Sequence, residues 1–100
     1  MPGPPNRVTV RAQLGALLPQ LRTEHGVRSL AVFGAYARGE TAVEGPLELL
    51  VEFEEVPGLF AFAALQFTLQ DMLGVRVDLS TRPMLRDRLV PRLESELVSV

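Results

Sequence analysis

The chain has no cysteine, no lysine and a single histidine in 100 residues. Without thiols it can form no disulfide staple, perform no thiol chemistry and offer no Cys/His zinc site, which fits a cytoplasmic setting. No apolar run approaches the roughly 20 residues of a membrane span, and the opening Met-Pro-Gly-Pro-Pro-Asn lacks the charged-then-apolar pattern of a signal peptide. No membrane association is expected, and residues 1–8 read as a disordered N-terminus. Basic charge is scarce too: ten arginines face twelve acidic residues, for a net charge of −2. That leaves no electrostatic footprint for nucleic acid. Only Arg82, Arg86, Arg88 and Arg92 cluster. With Asp87, Glu94 and Glu96 beside them they read as a solvated helix face with i,i+4 partners, a small anionic ligand being the alternative.

What the chain does have is apolar surface, 47% of its residues. That is enough for residues 9–100 to form one domain with its own core. Val10, Leu14, Leu17, Leu18 and Leu21 recur at helical spacing, so a helix is predicted from about Thr9 to His25, with Gly26 as its left-handed stop and His25 as a capping rather than catalytic residue. Arg28 to Gly34 reads as a strand buried on both faces. Leu47 to Phe53 alternates, with Leu47, Leu49, Val51 and Phe53 on one face and Glu48, Leu50 and Glu52 on the other. Residues 58–73 are predicted helical and end at Gly74. Val75 to Leu79 forms a third strand, and a last helix runs from Pro83 to about Leu97 with an interruption at Pro91. A short helix after Gly34 completes the order helix, strand, short helix, strand, helix, strand, helix. The expected fold class is α+β, a small mixed sheet of three or more strands with helices packed chiefly on one face.

The most specific signal is Phe33-Gly34-Ala35-Tyr36-Ala37-Arg38-Gly39-Glu40, which leaves the apolar run Leu30-Ala31-Val32 and enters a glycine-containing turn. A strand ending in such a turn can present backbone N–H groups to phosphate. This octapeptide resembles the Gly-Ser-x-x-x-Arg-Gly region of the minimal nucleotidyltransferases of the DNA polymerase beta superfamily, and the likeness extends over roughly residues 10–98. The resemblance implies a nucleotidyltransferase-like fold, a nucleoside triphosphate (NTP) held at Gly34, Ala35, Arg38 and Gly39, and Mg2+ held by carboxylates. Two of those carboxylates stand at i and i+2 on one strand and a third on its neighbour. Carried over without gaps from Gly34, the pair falls on Pro46 and Glu48, and the third on Asp78. Glu48 and Asp78 are therefore the expected catalytic and metal-binding residues. The plainer alternatives are polar-face strand residues paired with Arg76 or Arg38, and an Arg38–Glu40 ion pair stiffening the turn.

Three positions depart from the family. Ala35 lacks the hydroxyl of the family serine, a charge-assisted bond worth about 1.5–3 kcal/mol. Pro46 removes a metal-binding anion and discourages strand pairing. Glu48 keeps its charge on a side chain one methylene longer, and a ligand displaced by about 1 Å can cost on the order of 100-fold in rate. Another i,i+2 pair, Glu52 and Glu54, begins about 13 Å along the strand from Glu48 at about 3.3 Å per residue, and does not restore the site.

A second surface is predicted on the helix over 58–73. Phe62, Leu65, Leu69, Met72 and Leu73 should face the sheet, while Phe60, Ala64 and Phe67 share nearly the opposite side. That face suits a protein partner or self-association; in the alternative, Phe60 folds under the incoming chain and Phe67 is simply exposed. The resemblance implies an antitoxin-like role beside a small helical protein of the HEPN type. The expected function is a catalytically impaired nucleotidyltransferase-fold partner protein. The alternatives are an active Mg-dependent enzyme that moves AMP or another nucleotide from an NTP to a protein hydroxyl, and an unrelated α+β module sharing the turn by chance.

Overall fold

Alternating apolar side chains over Leu47–Phe53 and a nearly continuous apolar run before Gly34 produce the two central strands, β1 (Val27–Phe33) and β2 (Leu47–Phe53). In the computed structural model, which describes residues 7–39, 45–85 and 97–100, they pair antiparallel with Phe33 opposite Glu48 and Leu30 opposite Val51. β3 (Val77–Ser80) lies parallel to β2, with Leu47 opposite Val77 and Glu48 opposite Asp78. β4 (Val98–Ser99) lies antiparallel to β1. The order is β3-β2-β1-β4, a mixed sheet of the expected class.

Two helices cover one face, α1 (Arg7–His25) and α2 (Leu59–Leu73). The α1 stripe Val10, Leu14, Leu18 and Leu21 is buried together with Leu47, Leu49, Val51, Leu65, Leu69 and Leu79. Removing each such large side chain from water contributes about 1.5–3 kcal/mol, so this layer dominates the stability of the sheet. α1 stops at Gly26, whose φ is 66°, and α2 stops at Gly74, whose left-handed backbone lets its N–H donate to the Gln70 carbonyl at 2.9 Å. Both stops use the conformation that glycine adopts without a Cβ penalty. Phe62 packs its ring against Phe53, centroids 6.2 Å apart. On the other face Ala31, Phe33, Leu50 and Leu85 form a smaller buried cluster, with Leu97 against it.

Several boundaries differ from expectation. α1 begins at Arg7, so residues 7 and 8, read as part of the N-terminal tail, are helical. Its interior holds Pro19, which can donate no bond to the preceding turn; packing of the apolar stripe carries the helix through. Residues 34–39 form a turn rather than a short helix. β3 starts at Val77, not Val75, because its partner starts only at Leu47, whose N–H donates to the Arg76 carbonyl at 2.8 Å. Met72, expected to face the sheet, is 42% exposed. Of the last predicted helix, residues 82–85 are helical, and 86–96, with Arg86, Arg88, Pro91 and Arg92, lie outside the described residues, as do Glu40 and residues 1–6. Leu97 is not helical and Val98–Ser99 is strand, held by the Val100 N–H donating to the Leu30 carbonyl at 3.1 Å and Arg11 Nε to the Ser99 carbonyl at 2.8 Å. The open edge of β1 offers backbone partners there, and long-range pairing overrides local helix preference.

α2 also closes the outer edge of β3. In the parallel pairing, the N–H groups of Val77 and Leu79 point away from β2. Gln70 Oε1 accepts the first at 3.0 Å and Gln66 Oε1 the second at 3.1 Å. Two glutamines at i and i+4 on the sheet side of an apolar helix were the signal available for this arrangement.

Candidate functional site

The ends of β1, β2 and β3 converge on the turn after Phe33. Gly34 has φ 75° and Gly39 φ 73°, values that L side chains rarely adopt. Between them the Arg38 N–H donates to the Gly34 carbonyl at 3.1 Å and the Gly39 N–H to the Tyr36 carbonyl at 3.1 Å. Tyr36 and Ala37 are buried in the helix-side core, anchoring the turn, while Ala35 is half-buried and Arg38 and Gly39 are exposed. Two of the turn's amides are thus engaged internally. A phosphate would have to be met by those nearer Gly34 and Ala35.

Glu48 and Asp78 occupy paired positions of the parallel strands, so their side chains leave the sheet on one face, with strand axes about 4.8 Å apart. Glu48 is half-buried and Asp78 exposed. The Glu48 carboxylate lies against Gly34: a Cβ built on Gly34 would clash with Glu48 Oε2 and sit 2.8 Å from its Cδ. Gly34, Glu48 and Asp78, named from the sequence, therefore meet at one sheet end. Pro46 precedes β2 without joining it and brings no anion. Among the described residues no three His, Cys, Asp or Glu side chains gather as a metal site. Among the described residues, the two carboxylates at these strand ends supply fewer oxygen ligands than a pair of hard cations requires.

Two further carboxylates of β2 and the residue after it, Glu52 and Glu54, are held by arginines. Arg28 holds Glu54 through hydrogen bonds of 3.3 and 3.2 Å. That hydrogen bond, and then the charge of Arg28, lower the Glu54 pKa, and the same contact raises that of Arg28. Arg82 Nε donates to Glu52 Oε1 at 3.0 Å, so the described member of the arginine cluster faces a carboxylate of its own chain. A cavity of about 140 Å³ lies beside this pair, bounded by Arg22, Ser29 and Ser99. It touches none of Gly34, Glu48 or Asp78.

On α2, Phe60 is 90% and Phe67 60% exposed, and Ala64 is exposed between them. Phe60 does not fold under the incoming chain. No helix among the described residues is long and apolar enough to cross a membrane.

Comparison with known proteins gives a consistent assignment. The nucleotidyltransferase domain family matches residues 14–100. The chain is similar to the protein adenylyltransferase MntA of Thermococcus cleftensis, 37% identical over 91 residues, covering 91% of this chain and 92% of that one. Among solved structures it is similar to a candidate minimal nucleotidyltransferase, with TM-score 0.79 and 36% identity over 99% of this chain and 100% of the other. It also shares its fold with a chain from a mutant of the toxin–antitoxin pair MntA–HpeT, with TM-score 0.64 and 17% identity over 95% of this chain and 71% of that one.

Proposed function

The chain belongs to the nucleotidyltransferase domain family, and from that premise we propose that it is a catalytically impaired member acting as a binding or regulatory partner of another protein. The observation that carries this reading is the carboxylate set at the sheet end. Glu48 and Asp78 stand together there, Pro46 stands where the family resemblance puts a third ligand, and Ala35 offers no hydroxyl. Two-metal transfer needs charge neutralisation at both the attacking and the leaving oxygen, and two carboxylates do not supply it.

The partner is a small helical protein of the HEPN type, the chain serves it as an antitoxin-like component in the cytoplasm, and Phe60, Ala64 and Phe67 form the contact. The toxin–antitoxin pair named for one structural neighbour supports this direction, as does the exposure of both phenylalanines. A second reading is favoured by the similarity to a protein adenylyltransferase: transfer of AMP or another nucleotide from an NTP to a hydroxyl on the partner. It requires Glu48 and Asp78 to hold one divalent cation between them.

Incubation with α-labelled ATP and magnesium or manganese, with and without the co-expressed helical partner, separates the two. The impaired reading expects a stable complex and no label transfer. Label transferred to a partner tyrosine would overturn it in favour of the enzyme.

A further inference from the structure

The place over Gly34 is already taken by an anion of the chain itself. Gly34 has no side chain, and the Glu48 carboxylate fills the space that a Cβ there would take. Three features bring it there. Phe33 and Glu48 are opposite one another in the antiparallel pairing, so Glu48 lies one residue from Gly34 across the strands. The positive φ of Gly34 turns the chain sharply at that point. The third is length: an aspartate at position 48 would end one carbon–carbon bond, about 1.5 Å, short.

We infer that Glu48 is an autoinhibitory plug, its carboxylate occupying the anion position of the Gly34 turn and excluding the phosphates of a nucleoside triphosphate. If the turn is the nucleotide frame proposed above, the two anions compete for one place. Like charges a few ångströms apart beside a half-buried group are poorly screened and repel strongly. The plug and a metal-ligand role for Glu48 make opposite predictions. Removing a metal ligand weakens nucleotide binding, whereas removing a plug strengthens it, and strengthens it without any metal.

The test uses the whole chain, at 11.0 kDa well suited to solution NMR. Wild type, Glu48→Ala, Glu48→Gln and Glu48→Asp are titrated with ATP in excess EDTA while the amide signals of Gly34, Ala35 and Gly39 are followed. The expected result is a Kd about tenfold or more lower in Glu48→Ala than in wild type, with a smaller gain in Glu48→Gln, which loses the charge but keeps the bulk, and in Glu48→Asp, which withdraws the carboxylate. Folded variants that bind no tighter than wild type would overturn the plug. Should Glu48→Ala not fold, the near-isosteric Glu48→Gln decides alone, since an unchanged Kd there is equally fatal. Label transfer by the wild type with magnesium is read separately, so the impaired-enzyme reading and the plug fail on different measurements.

Discussion

Glu48 and Asp78 are directly opposed across the parallel pairing of β2 and β3, so two carboxylates thirty residues apart in sequence leave one face of the sheet side by side. Strand alternation would place a residue at position 46, were the strand to extend that far, on the same face as Glu48. A single residue type, proline at 46, therefore separates this arrangement from a three-carboxylate site.

Restoring the family residues should restore metal-dependent binding. Ala35→Ser, Pro46→Asp and Glu48→Asp combined supply a hydroxyl, a third anion and a shorter ligand. Calorimetry should then detect ATP binding that magnesium strengthens and EDTA weakens, the serine alone contributing about 1.5–3 kcal/mol. Binding indifferent to EDTA in the triple variant would mean that the carboxylates do not form a cation site.

Gly34→Ala should destabilise the fold for two separable reasons. A left-handed backbone costs a side-chain-bearing residue about 1–2 kcal/mol, and the new methyl meets the Glu48 carboxylate. In urea denaturation, Gly34→Ala should cost less in a Glu48→Ala background than in wild type, because contacting residues are not additive. Equal costs in both backgrounds would show that the carboxylate yields freely.

Gln66→Ala and Gln70→Ala should each remove about 0.5–1.5 kcal/mol and, together, open the β3 edge. An uncovered edge strand is a template for pairing with another chain. Size-exclusion chromatography of the double variant should show concentration-dependent association beyond that of the wild type; a double variant that elutes as the wild type does would argue that the edge is protected by other means.

Phe60→Asp with Phe67→Asp should leave stability within about 0.5 kcal/mol, as surface changes usually do, because both rings are exposed. The same pair of changes should abolish the complex with a co-expressed helical partner. Retention of that complex would move the contact elsewhere.

The Arg28–Glu54 pair predicts a direction on the acid side. Glu54 has a lowered folded-state pKa, so the unfolded chain binds more protons in that window and stability rises with pH. The pair's contribution is present above the ordinary glutamate value of about 4.3 and is lost as pH falls through the lowered one. Both side chains are more than half exposed, so the effect is small and fades with salt. Glu54→Gln should flatten this part of the pH–stability curve at low ionic strength; an unchanged slope would assign no stability to the pair.

Much of this was legible without coordinates because it depends on neighbours in the chain. The faces of β2, the stripe of α1, the stops at Gly26 and Gly74, and the exposure of Phe60 and Phe67 all follow from side-chain period and glycine geometry. The convergence of Gly34, Glu48 and Asp78 was readable only through the family resemblance. Other elements escaped. Val98–Ser99 has no local mark of a strand strong enough to override the helical pattern before it, and Val75 is as good a strand residue as Val77.

By itself, then, the sequence determined the types of α1, α2, β1, β2 and β3 and the faces they bury, since period and residue chemistry are local properties. Tertiary structure alone decided that β1 takes β4 at its outer edge, that β3 waits for Leu47, that Gln66 and Gln70 close its other side, and that the Glu48 carboxylate comes to rest on Gly34. Each of these depends on which strand edges meet and in what register, and register is set by contacts between residues far apart in the chain.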